Sequence, residues 1–170
     1  MQFYSTNRKT SPVSLREAVV RGLATDRGLF MPEVIRRFPP AFYQNMKEMT
    51  LREISFVVAE AFFGENVEAG KLKEIVDETL NFDIPLVQVA DNRYSLELFH
   101  GPTLAFKDVG ARFMARLLAY FNKQEGERQV NVLVATSGDT GSAVANGFLD
   151  VSGVKVFVLY PQGKVSEIQE

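Results

Sequence analysis

The sequence predicts an α/β protein: a mostly helical part over residues 1–84, then the start of a parallel-sheet part over residues 85–170. Three observations carry that expectation. In the first half, apolar residues recur at helical spacing behind two Ser/Thr-x-x-Glu starts. After Pro85, short runs rich in β-branched and aromatic residues alternate with helix-period segments, and a parallel return between strands needs such a crossover. Hydrophobic residues make up 46% of the chain and charged residues 24%, enough apolar material for a folded core.

Taken in order, Ser14-Leu15-Arg16-Glu17 has the form of a capping box, and Leu15, Ala18, Val19, Gly22 and Leu23 follow at helical spacing until "TDRG" interrupts at Gly28. Pro32, Pro39 and Pro40 cut the next stretch into short connectors. Thr50-Leu51-Arg52-Glu53 repeats the start signal and leads a helix with Ile54, Val57, Val58, Ala61 and Phe62 as its expected buried stripe, closed by Gly64. Leu72, Ile75, Val76, Thr79 and Leu80 mark a third helix. This first part holds no constellation of titratable groups, so its role is read as packing. Beyond Pro85, "RYSLELF", "VNVLVAT" and "VKVFVLY" read as three strands of one parallel sheet. The helix between the first two carries Val109, Phe113, Leu117 and Phe121 on one stripe with Met114 and Leu118 beside it. Val144 and Phe148 mark a shorter helix that ends before Leu149.

A formal net charge of -2, with Lys and Arg scattered among acids, gives no electrostatic grip on nucleic acid or an anionic membrane. The chain has no cysteine and one histidine, His100. That excludes a disulfide framework, a thiolate metal site, a cysteine nucleophile and a histidine cluster, and no metal is expected. The N-terminal "MQFYSTNRKTSP" is too polar for the core of a signal peptide, and no apolar run nears the roughly 20 residues that span a bilayer. A cytoplasmic protein acting on a small molecule is expected.

In open parallel sheets ligands bind beyond the carboxyl ends of the strands, and two unusual loops fall there. The first contains DTGS at residues 139–142, a tetrapeptide shared with aspartic proteases. Protease chemistry needs two carboxylates sharing a proton, and this chain carries one copy, running from a strand end straight into a helix behind Ser137 and Gly138. The protease reading lacks its context. Small residues Ser137, Gly138, Thr140, Gly141 and Ser142 instead let the backbone approach a ligand, with the first amides of a helix turned toward an anion. No Gly-Lys-Ser/Thr follows, so a carboxylate suits the loop better than a nucleotide phosphate. Asp139 either caps that helix or touches the ligand. The second loop, "HGPTLAFKD", sets Lys107 at a helix start where Asp108 could cap. The positive helix end and the apolar neighbours Phe106 and Val109 favour a neutral, nucleophilic amine, although a lone lysine is more often a surface charge. A third stretch, "YPQGKVS", offers Lys164 and Ser166 to an anion near an expected helix start, or is an ordinary solvated lysine and N-cap serine. His100 either faces the substrate or holds its own loop through a backbone hydrogen bond.

With those words in place the chain resembles the threonine synthase family, fold type II pyridoxal-phosphate enzymes built on the tryptophan synthase β-subunit fold. The resemblance covers nearly the whole chain. It is carried by "YST" at residues 4–6, "EAVVRGLATDRGLFMPE" at 17–33, "LELFHGPTLAFKD" at 96–108, "ATSGDTGSA" at 135–143 and "VFVLYPQGKVSEIQ" at 156–169. It implies a three-layer cofactor domain with pyridoxal 5'-phosphate joined through its aldehyde to Lys107, which then serves as acid and base at the substrate's α-carbon. It also implies that Ser137, Gly138, Thr140 and Gly141 hold the substrate carboxylate and that Asp139 contacts the cofactor, where many enzymes of the wider fold carry asparagine. Lys164 and Ser166 would take the phosphate leaving O-phosphohomoserine as water completes threonine. Two other readings stay open: another pyridoxal-phosphate lyase or dehydratase, which is not expected to share the word at 17–33, and a non-catalytic interaction module. Family members continue well past the point matching Glu170. The 170 residues are therefore expected to be an N-terminal portion that is weak for the cofactor, inactive alone and prone to self-association.

Overall fold

The computed structural model describes residues 1–126, 128–136 and 138–166. The chain divides into two compact units, Met1–Asp77 and a second from Glu78 onward.

The first unit opens with a small antiparallel sheet that periodicity did not reveal. Strand β1 (Gln2–Ser5) lies between β2 (Val13–Ser14) and β3 (Phe30–Pro32), with Phe3 opposite both Val13 and Pro32. Strands of two to four residues are too short to display a period of two, so the expectation of a mostly helical unit missed them. Ser5 is fully buried and donates its hydroxyl to Asp26 Oδ1 at 2.5 Å. Asp26 also accepts the backbone N–H groups of Gly28 and Lys9, each at 3.0 Å. The words "YST" and "TDRG" thus meet in one hydrogen-bonded knot.

Helix α1 (Leu15–Arg21) buries Leu15, Ala18 and Val19, as expected, but ends before the exposed Leu23. Ser14 accepts the Glu17 N–H at 3.2 Å, whereas the Glu17 carboxylate pairs with Arg21 at 3.0 Å; only half of the capping box forms. Helix α2 (Pro40–Asn45) and a 3-10 turn (Met46–Glu48) lead to α3 (Leu51–Phe63), where the box is reciprocal: Thr50 N–H donates to Glu53 at 2.7 Å and Thr50 Oγ1 accepts the Glu53 N–H at 3.3 Å. The expected stripe of α3 is corrected by the structure. Ile54, Val57, Val58, Ala61 and Phe62 are half-buried and Ala59 is the buried position, because Phe56 and Phe63 widen the apolar surface until spacing no longer selects one face. For α4 (Ala69–Thr79) the expected set holds in full: Leu72, Ile75, Val76, Thr79 and the following Leu80 are all buried.

The second unit begins with a hairpin. Strand β4 (Leu86–Ala90), which the sequence reading passed over, pairs antiparallel with β5 (Arg93–Leu96) across a tight turn in which Asn92 takes a φ of 55°. The strand in "RYSLELF" therefore does not join the parallel sheet, which among the described residues has two strands. The short turn decides this, since a two-residue link can return a strand only antiparallel. Helix α5 (Lys107–Gln124) follows, then β6 (Val130–Ala135), α6 (Asp139–Phe148) and β7 (Val154–Leu159). β6 and β7 are parallel, in register from Val130 opposite Val154 to Ala135 opposite Leu159, with α6 as the crossover. α5 packs against α6 and buries Ala115, Leu117, Leu118 and Phe121, while Val109, Phe113 and Met114 are half-buried. No helix among the described residues is long and apolar enough to cross a membrane.

Candidate active site

The carboxyl ends of β6 and β7 lie side by side, and the Thr136 N–H extends their ladder by donating to the Leu159 carbonyl at 2.9 Å. The loop entering α6 and the loop leaving β7 therefore start from one sheet edge, where ligands of open α/β sheets bind. Thr136 is the hub of the first loop. Its hydroxyl accepts N–H groups from Gly138 at 3.2 Å and Gly141 at 3.1 Å and donates to the Gly138 carbonyl at 3.1 Å. Sequence reasoning passed over Thr136; the signal was a threonine at a strand end before small residues, where a hydroxyl closes a local turn. Gly141 is buried, and a Cβ there would overlap the Thr136 methyl, so the position is closed to any side chain.

Gly138 occupies the cap position and Asp139, exposed, is the first residue of the helix. Thr140 is exposed in the same first turn. Ser137 lies outside the described residues. In the neighbouring loop the Lys164 N–H closes a turn on the Pro161 carbonyl at 3.0 Å, and Lys164 and Ser166 are both exposed. The helix start expected after Ser166 also falls outside the described residues.

Lys107 is the first residue of α5, half-buried, with its Nζ 4.5 Å from the centroid of the Phe106 ring. A cation over a ring face is held electrostatically while it stays in reach of solvent. Phe99, Leu104 and Phe106 are exposed in the segment before it, and of these the Phe106 ring lies beside the lysine. Asp108 does not cap the helix. It is fully buried and accepts both the backbone N–H of Thr103, at 2.9 Å, and the Thr103 hydroxyl, at 2.5 Å. His100 Nε2 sits 2.7 Å from the Glu97 carboxylate, a side-chain rather than a backbone partner, and its ring lies 4.8 Å from that of Phe99. Arg112, also missed, donates to the carbonyls of Glu78 and Thr79 at 2.6 and 3.2 Å and to Asn81 Oδ1 at 2.9 Å. Burial, aided by Arg116, holds its guanidinium below the ordinary arginine range. One turn past Lys107, Ala111 lies so close to Gly147 that a Cβ on the glycine would press into it. The helix headed by Lys107 is thereby packed on the helix headed by the small-residue loop.

A lysine heading one helix, packed on a second helix that springs from a small-residue loop at a parallel-strand edge, defines an α/β protein with a candidate ligand site at that edge. Residues 2–80 match the family model described as the threonine synthase N terminus. Threonine synthase from Serratia marcescens is 42% identical over 170 residues, which are 100% of this chain and 39% of that protein. The structure of PLP-bound threonine synthase from Brucella melitensis superposes with a TM-score of 0.94 at 36% identity, covering 99% of this chain and 37% of that one. The crystal structure of threonine synthase from Escherichia coli gives 0.89 at 40% identity, covering 100% and 39%. The chain is homologous to the threonine synthases over the part of them that it spans, about two-fifths of the length of the curated relatives it matches. The expected α/β fold of the tryptophan synthase β-like kind is the fold it shares with those structures.

Proposed function

We propose that these residues belong to an enzyme that converts O-phospho-L-homoserine and water to L-threonine and phosphate with pyridoxal 5'-phosphate. The observation that carries the reading is likeness along the whole chain, at 36–42% identity, to proteins named threonine synthase, one of them solved with PLP bound. The residues present fit that cofactor: Lys107 offers an aldehyde a half-buried primary amine at the head of α5. When bound, the cofactor supplies an electron sink for the substrate's α-carbon.

The chain's own residues do the rest. Lys107 anchors the cofactor and, once the substrate amine takes its place, moves protons at the α-carbon. The positive end of α6 with the hydroxyls of Ser137 and Thr140 orients the substrate carboxylate. Gly138 and Gly141, whose N–H groups donate to the Thr136 hydroxyl, contribute by holding the loop in the shape that turns the start of α6 toward the carboxylate. Asp139, exposed at the start of α6, is assigned to the cofactor, and Lys164 and Ser166 on the adjacent loop to the leaving phosphate.

A chimera tests this: residues 1–170 joined to the part of Escherichia coli threonine synthase that they do not cover. It is expected to release phosphate from O-phosphohomoserine in a pyridoxal-phosphate-dependent way, and Lys107→Ala is expected to bring release below detection. The 170 residues by themselves, spanning two-fifths of such enzymes, are expected to release none. Turnover of serine or threonine in place of phosphohomoserine would point to a dehydratase, and a folded chimera without turnover of either refutes the reading.

A further inference from the structure

The loop before Lys107 is more tightly built than a surface connector requires. Asp108, fully buried at the second position of α5, takes both the N–H and the hydroxyl of Thr103 on its two carboxylate oxygens. Gly101 is buried against the same carboxylate, and a Cβ there would press on Asp108 Oδ2 and on the Phe82 ring. The Leu104 N–H closes a turn on the Gly101 carbonyl at 3.0 Å, and the Asp108 N–H closes the next on Ala105 at 3.0 Å. Between those turns Leu104 is held at a φ of 57°, a left-handed conformation that costs a leucine energy, with its side chain 64% exposed. Strain of this kind persists only where surrounding bonds over-determine it, and it concentrates where a group must be held in place. Lys107 lies inside this closed segment, immediately before the clamping carboxylate.

The geometry points to Asp108 and Thr103 as positioning residues that set the direction of Lys107 toward its aldehyde partner. The inference rests on the proposed role of Lys107 and goes beyond it. The clamp fixes the helix start through part-buried bonds to a buried carboxylate and leaves the Lys107 amine itself uninvolved. Small displacements of a reacting group lose much of the advantage of proximity, so a fault in the clamp should act on Lys107 before it acts on the fold.

The test follows the lysine rather than turnover. The protein is incubated with pyridoxal 5'-phosphate, the bond formed with loss of water is fixed by borohydride, and peptide mass spectrometry compares pyridoxyl on Lys107 with that on Lys47, whose side chain is 79% exposed. Thr103→Val, which removes only the hydroxyl bond, is expected to lower that ratio about tenfold, and Thr103→Ser to restore it to within about twofold. Phe121→Leu, a core lesion at the far end of α5, controls for stability and is expected to keep the parental ratio. In the parent, the Thr103 amide is expected to exchange its hydrogen slowly. A Thr103→Val protein with the parental ratio, an equal loss in Phe121→Leu, or fast exchange at Thr103 in the parent overturns the positioning role. A parental ratio no greater than one overturns the reading of Lys107 itself, whatever the clamp variants do.

Discussion

Asp26 shows how one residue of the first unit turns a word that only interrupts a helix in sequence into a structural knot in space. The Ser5 hydroxyl, then the N–H groups of Gly28 and Lys9, hold its carboxyl below the usual carboxylate range, with partial burial working the other way. A carboxylate whose pKa is lower in the folded state stabilises the fold above its unfolded value, about 3.9. That contribution is lost as pH falls through the folded value. Asp26→Asn is therefore expected to be less stable than the parent near neutral pH, with the difference shrinking below about pH 4. Acid titration followed by circular dichroism checks it; a difference that stays constant into acid would mean that Asp26 acts through shape alone. Residues of the second unit divide in the same way. The place of Lys107 at a helix start was legible because the apolar stripe of α5 begins just after it. Thr136 and Asp108 were not, because each works through bonds to backbone groups that come together only once the chain is folded.

At the scale of elements, local signals decided what could be read. The Thr50 box was legible because both of its partners lie within four residues, and the structure closes it from both sides. Thr50→Ala is expected to cost about 1 kcal/mol in urea denaturation, whereas Ser14→Ala, where Glu17 turns to Arg21 instead, should cost less. Equal losses at the two sites would show that the reciprocal bond adds nothing. Both helices α3 and α4 were legible, but the buried face was legible only for α4, because one narrow stripe carries all its buried residues, whereas the apolar residues of α3 surround more of the helix. β1, β2 and β3 escaped detection because each is short and finds its partner elsewhere in the chain. The assignment of β5 to the parallel sheet failed for a related reason: strand character is local, but pairing is set by the length of the link.

For the molecule as a whole, the parallel pair presents an unusual surface. Leu133 lies opposite Phe157, with Leu159 next along the strand, and these three are 71%, 50% and 62% exposed. Parallel sheets generally have both faces covered, and contiguous apolar surface favours association. The chain is expected to self-associate with rising concentration in sedimentation velocity, and Leu133→Lys with Phe157→Lys to reduce that association without changing helix content; association unchanged in the double variant would place the contact elsewhere. The sequence by itself determined the α/β class, the long helices, the parallel crossover and the positions of the two candidate loops, because each follows from composition, capping or spacing within a few residues. Only the tertiary structure decided which strands pair, which residues of α3 are covered, where His100 points and what the Asp108 carboxylate binds. Those outcomes depend on groups that meet only in the folded chain, where burial of a partner such as Asp108 weakens water as the competitor for its hydrogen bonds.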